Sequence, residues 1–99
     1  MADVEHGGFR WDASKARANL SKHGVDFVEA AGAALDPHAI IEFDSAHSRE
    51  EDRFRIIGLS RRLRVLFVVT AEGVGPKVRI ITARRATRKE ATRYEDQRF

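Results

Sequence analysis

Arg79, Arg84, Arg85 and Arg88 crowd into ten consecutive residues near the end of the chain, inside the run KVRIITARRATRKEATRY that spans Lys77 to Tyr94. A guanidinium group offers a planar fork of donors that matches phosphate oxygens two at a time. A cluster of them suits a phosphate-rich partner. The only tyrosine, Tyr94, closes the same run. Further cations that could join such a site are Arg53, Arg61, Arg62 and the Lys22-His23 pair. Histidine is the side-chain type suited to exchanging protons in neutral solution, which makes His23 a candidate acid or base.

These residues need elements to hold them. The run begins as a strand, with Val78, Ile80 and Thr82 on one face and Lys77, Arg79 and Ile81 on the other, because strand side chains alternate. A helix signal follows. Thr87 with Glu90 three positions on fits a capping box. Upstream, Arg64 to Thr70 is nearly continuous β-former and reads as a central strand. Arg53 to Leu59 is a strand with Phe54 and Ile56 on one face and Arg55, Ile57 and Leu59 on the other. Ser60-Arg61-Arg62-Leu63 is the turn between them, and residues 72–76 form a looser loop. Ala39 to Phe43 reads as another strand, followed by an acidic loop from Asp44 to Asp52.

The first half reads as helical. Phe9-Arg10-Trp11 is a short edge strand, with Trp11 a core anchor. Asp12 caps a helix whose inner face carries Ala13, Ala16 and Leu20. It stops at Gly24, which suits the left-handed position after a helix. Asp26 caps a second helix with Phe27, Ala30, Ala31, Ala34 and Leu35 at amphipathic spacing, ended by Asp36-Pro37. Residues 1–8 are polar and expected to fray. Helices grouped before a meander make an α+β domain over residues 1–99: an N-terminal helical hairpin packed on a small antiparallel β-sheet meander, with a short C-terminal helix.

Composition sets the bounds. With 42% hydrophobic and 33% charged residues, the chain is too apolar for a disordered protein and too charged for a membrane one. The longest apolar stretch, 65–71, is too short to span a bilayer. The N-terminus lacks the basic start and apolar core of a signal peptide, and there is no cysteine. A cytosolic protein with no membrane contact is the simplest expectation. The net charge of +3 hides an asymmetry: residues 1–52 balance to −6 and residues 53–99 to +9. Either an anion docks on the basic half or the halves neutralise each other.

Several stretches together resemble the BrnT family. They are Phe9-Arg10-Trp11-Asp12, Lys15-Ala16, Asn19-Leu20, Lys22-His23-Gly24-Val25, Phe27 and Glu29-Ala30-Ala31. Asp36-Pro37, His47-Ser48, Glu50-Glu51, Arg53, Ile57-Gly58 and Leu66 continue the likeness. The closing signature is Arg79 to Thr87 with Glu90 and Tyr94, although Thr82 stands where the family often has Ser. The resemblance implies a RelE-like fold and a ribonuclease toxin of a type II toxin–antitoxin pair that inhibits translation and uses no cofactor. It also implies a BrnA-like ribbon-helix-helix antitoxin, a hetero-oligomer with it, and operator DNA contacted through that antitoxin.

RNA cleavage without a metal needs a base for the 2′-OH, cations for the phosphorane and an acid for the leaving oxygen. RelE-like enzymes make do with arginines, lysines and a tyrosine, so the resemblance points to Arg79, Arg84, Arg85, His23 and Tyr94 as catalytic. Lys22, Arg53, Arg61, Arg62 and Arg88 would bind RNA. Each has a structural alternative. Arg79 could pair with an acid on a neighbouring strand, Arg53 with Glu50, Glu51 or Asp52, and Arg84 and Arg85 could solvate a strand end. His23 could interact with free helix carbonyls, Lys22 could face solvent, and Tyr94 could pack on the sheet with its hydroxyl exposed. Asp36, His38, Asp44, His47 and Glu50 form a weaker option as metal ligands, without a recognised ligand spacing. The rival to an enzyme is a basic module that holds nucleic acid or protein without turnover.

Overall fold

Two short strands, not one, precede the helices in the computed structural model, which describes residues 2–73 and 75–97. Strand β1 (Asp3–His6) turns at Gly7-Gly8 into β2 (Phe9–Asp12). Within the stretch expected to fray, Asp3 to His6 pair antiparallel with Phe9 to Asp12, and Gly7 supplies the positive φ that the tight turn needs.

Helix α1 (Ala13–His23) starts on Asp12, whose carboxylate accepts from the amides of Ser14 and Lys15 at 2.9 and 3.0 Å. It ends on Gly24 at φ 70°. Helix α2 (Phe27–Ala34) is capped by Asp26, which accepts from the Glu29 amide at 2.8 Å. Strands β3 (Ile40–Phe43), β4 (Asp52–Leu59), β5 (Val65–Glu72) and β6 (Val78–Arg85) follow, then α3 (Arg88–Gln97). A 3₁₀ turn at Ser45–His47 lies between β3 and β4.

The six strands of the described residues form one sheet in the order β1-β2-β6-β5-β4-β3. The antiparallel meander holds for β3 to β6, but β2 lies parallel to β6. The chain thus leaves the sheet after β2, builds α1 and α2, and returns at the far edge.

Helices α1 and α2 cover one face. Phe9, Trp11, Ile56, Leu66, Val68, Ile80 and Ala83 point there and bury against Val25, Phe27, Ala30, Ala31 and Ala33. The small alanines allow close approach. At Gly58 a Cβ would stand 2.1 Å from the Ala33 carbonyl oxygen, so only glycine fits under α2. Two inner-face expectations fail. Leu20 is 49% exposed and Leu35 70% exposed, while Asn19 is buried.

Asn19 has a reason to be inside. Strand β2 pairs β6 only at Val78 and Arg79, so beyond that point one side of β6 lacks a neighbour. Asn19 takes that place. Its amide nitrogen donates to the Ala83 carbonyl at 2.8 Å and to the Val25 carbonyl at 3.0 Å. Its oxygen accepts from the Ala83 amide at 3.2 Å and the Thr82 hydroxyl at 3.0 Å. Buried backbone groups must find partners, and here a side chain supplies them.

Replacing Gly58 by alanine is expected to cost about 2–3 kcal/mol, the upper part of the usual range for overpacking, because the Ala33 backbone would have to move. Urea denaturation checks this, and an unchanged midpoint would contradict the flush contact.

Candidate functional site

The other face of the sheet carries the arginines. Along β4 and β5 the alternate row is Arg53, Arg55, Ile57, Phe67, Val69 and Ala71, since Ile56, Leu66 and Val68 point to the helices. Strand β6 joins the row through an irregular register. Ala71 pairs Arg79 and Thr70 pairs Ile80, but Val69 pairs Thr82 and Phe67 pairs Arg84. Ile81 is an extra residue, a β-bulge. It corrects the strict alternation expected along this strand: Arg79 and Arg84, of opposite parity, share one face. Arg10 pairs Arg79 on β2.

A cationic band results. Arg10, Arg79 and Arg53 lie in one cross-strand row, with Ala71 between the last two. Two strand spacings put the Cα atoms of Arg53 and Arg79 about 10 Å apart. Arg55 lies one row on, and Arg84 lies beyond it with its guanidinium 4.1 Å from the centre of the Phe67 ring.

Carboxylates hold two of these groups. Arg79 is ion-paired with Glu51. Arg84 donates twice to Glu90, at 2.8 and 3.0 Å. Glu90 is also the acid of the expected capping box: it accepts from the Thr87 amide at 2.9 Å, and its own amide donates to the Thr87 hydroxyl at 3.2 Å. The Arg84 guanidinium holds the Glu90 carboxyl below its ordinary value, against the opposing pull of burial. Among the described residues, Arg10, Arg53 and Arg55 have no ion pair. Arg53 lines a polar hollow of about 610 Å³ with Ala46, His47, Arg49, Glu50 and Glu51.

Helix α3 walls the opposite end. It lies against β4 and β5, and its Arg93 pairs with Glu42 on β3. Tyr94 is fully buried and donates its hydroxyl to Asp36. Asp36 also accepts from the amides of Leu59 at 2.8 Å and His38 at 2.9 Å. Burial pushes the Asp36 carboxyl up, but the Tyr94, Leu59 and His38 hydrogen bonds together hold it below its ordinary value.

The band thus gathers Arg53, Arg79 and Arg84 of the ten sequence candidates. Arg88 is exposed at the first residue of α3, just beyond Arg84. Arg85 pairs Leu66 and so shares the helix-facing row. Lys22 and His23 end α1, which covers that same face. Arg61 and Arg62 line an apolar hollow of about 560 Å³ on the helix side, with Leu20, Val28 and Leu35. Tyr94 packs as expected, but its hydroxyl faces Asp36 rather than solvent. Arg10 and Arg55 were missed, although both sit at alternating positions between apolar neighbours. Of the metal option, Asp36 is engaged as above and Asp44 bonds His47. Among the described residues no three His, Cys, Asp or Glu side chains gather as metal ligands.

Replacing Glu90 by glutamine tests how Arg84 is held. Because the folded Glu90 value is depressed, its contribution is full above the ordinary value of 4.5 and lost as pH falls through the lower folded value. The variant is expected to be about 1 kcal/mol less stable at neutral pH. That deficit should shrink on acidification past the carboxylate range, as read by urea denaturation at both ends.

Comparison with known proteins adds three findings. A family model described as "Ribonuclease toxin, BrnT, of type II toxin-antitoxin system" matches residues 11–90. A search of curated proteins returned no match. Among solved structures, the 1.1 Å crystal structure of the Brucella abortus ribonuclease toxin BrnT superposes with a TM-score of 0.60 at 28% identity, covering 79% of this chain and 94% of that one.

Proposed function

Since the chain belongs to the BrnT family of type II toxin–antitoxin ribonuclease toxins, we propose that it cuts RNA on the arginine band of its open sheet face, without a metal ion. Translation falls as a consequence. The observation that carries the reading is the row Arg10, Arg79, Arg53, with Arg55 and Arg84 beside it.

The chemistry follows from what these groups are. The 2′-oxygen of a ribose attacks the adjacent phosphorus, the bond from phosphorus to the 5′-oxygen breaks, and a 2′,3′-cyclic phosphate forms. The transition state gathers negative charge on the phosphoryl oxygens. Arg53 and Arg79 flank the space over Ala71, and both can donate to those oxygens. A phosphate entering there takes the place of Glu51 on Arg79. Arg84, already aligned by Glu90 and Phe67, suits a neighbouring phosphate or a stacked base. Fixed arginines also hold the strand for in-line attack.

The family likeness supports a RelE-like fold and a cytosolic site of action. It also supports a ribbon-helix-helix antitoxin of the BrnA kind as partner. No helix among the described residues is long and apolar enough to cross a membrane. Silencing requires the partner to cover the band or block its approach, which favours acidic side chains facing Arg10, Arg53 and Arg55.

Purified, antitoxin-free protein is expected to cleave single-stranded RNA in EDTA. Arg53→Ala and Arg79→Ala should each slow cleavage about 100-fold or more while keeping the parent's circular dichroism and urea midpoint. RNA left intact by the folded parent refutes the reading. Cleavage abolished by EDTA and restored by a divalent ion refutes the metal-free part alone.

A further inference from the structure

The β3–β4 connection carries a side-chain pair that the arginine band does not explain. Asp44 is almost fully buried, and both its carboxylate oxygens lie near the Nδ1 atom of His47, at 2.9 and 3.1 Å. The His47 side chain is 67% exposed. The ring therefore stands in the polar hollow beside Arg53 and Glu51, and Glu51 is the residue that holds Arg79.

The backbone of the segment is tied down without the imidazole, although among the described residues His47 is the one side chain bonded to the Asp44 carboxylate. The Asp44 amide donates to the Arg53 carbonyl at 2.8 Å. The Ser48 hydroxyl donates to the Asp44 carbonyl at 2.6 Å and accepts from the Arg53 amide at 2.9 Å. These bonds already tie the loop to β4. A histidine serving only as a loop staple gains most when its ring is packed away, whereas this ring projects into open space.

We propose that His47, oriented by Asp44, is the proton-transfer residue of this face; the inference rests on the ribonuclease reading above. Its substrate class is a ribose 2′-hydroxyl beside a phosphate held by Arg53 and Arg79. The hydrogen bond from His47 holds the Asp44 carboxyl below its ordinary value, so Asp44 stays ionised near neutral pH. With an ionised carboxylate at Nδ1, we place the ring proton there, which leaves the Nε2 lone pair available to a ligand in the hollow that His47 lines. Nε2 takes the 2′-OH proton as the oxygen attacks phosphorus, and the leaving 5′-oxygen takes a proton from water. His47 then returns its proton to solvent, and the cycle closes without net proton change. The charged groups around the ring are Asp44 on its own turn, Arg49, Glu50 and Glu51 on the loop, and Arg53 and Arg55 on β4.

The test is single-turnover RNA cleavage by the parent, His47→Ala, His47→Gln and Asp44→Asn from about pH 5 to about pH 9, across the histidine range. Binding of a 2′-O-methyl oligonucleotide, which cannot be cut, is read by fluorescence anisotropy. Both His47 variants are expected to cleave about 100-fold more slowly or worse and to lose the acid limb of the pH–rate profile. Their affinity for the uncuttable oligonucleotide should match the parent's. Asp44→Asn should be slow because the tautomer is no longer fixed, yet should keep the acid limb. Cleavage within about twofold of the parent by His47→Ala or His47→Gln, or an acid limb that survives in either, overturns the inference and leaves the arginine band standing. Intact RNA with the folded parent sinks both.

Discussion

A single extra residue in β6 decides which side chains meet on the open face. Without the bulge at Ile81, alternation would send Arg79 and Arg84 to opposite sides of the sheet, and one of them would press into the helices. With it, Val78, Ile80 and Ala83 all point inward, and both arginines point outward. A bulge leaves backbone groups to be satisfied and bends the strand. Just past it, on the edge that β2 leaves unpaired, Asn19 of α1 pins the strand by bonding to both backbone groups of Ala83 and to the Thr82 hydroxyl. The helical layer therefore fixes the geometry of a face it does not cover.

The two faces are built on different physical terms. One is sealed by hydrophobic burial, with α2 lying so close that Gly58 admits no side chain. The other is arranged by charge. Its ion pairs are partly exposed, and pairs of that kind contribute little to stability. Their effect is positional: Glu51 and Glu90 hold long, entropy-rich arginine side chains in defined places. Asp36 secures the wall of this face. One carboxylate joins the exit of α2, the end of β4 and Tyr94 of α3.

Local chemistry was legible in the sequence. The caps at Asp12 and Asp26, the Gly24 stop, the Thr87–Glu90 box, and strands β4 and β5 all follow from residues within a few positions of one another. What escaped depends on contacts between distant segments. The β1 strand pairs only because β2 returns beside it. The parallel β2–β6 contact, the bulge and the exchange of Leu20 for Asn19 as the inward residue of α1 all reflect the geometry of the assembled sheet. His23 is the last residue of α1, so its place relative to the arginines is set by how that helix docks on β2 and β6, which no local pattern states. His47 looked like a metal ligand among acids, when its spacing of three from Asp44 already allowed a direct pair.

The carboxylates already seated on Arg79 and Arg84 have a thermodynamic corollary. Nucleic-acid binding is ordinarily driven by the escape of condensed cations as protein charges replace them on the phosphates. On the proposed site a phosphate reaching Arg79 would evict Glu51, and that liberated anion would recruit a cation of its own. Part of the entropic gain would then be cancelled internally. Affinity should then decline with ionic strength less steeply than the number of phosphates touched implies, with Arg10, Arg53 and Arg55 setting most of the slope.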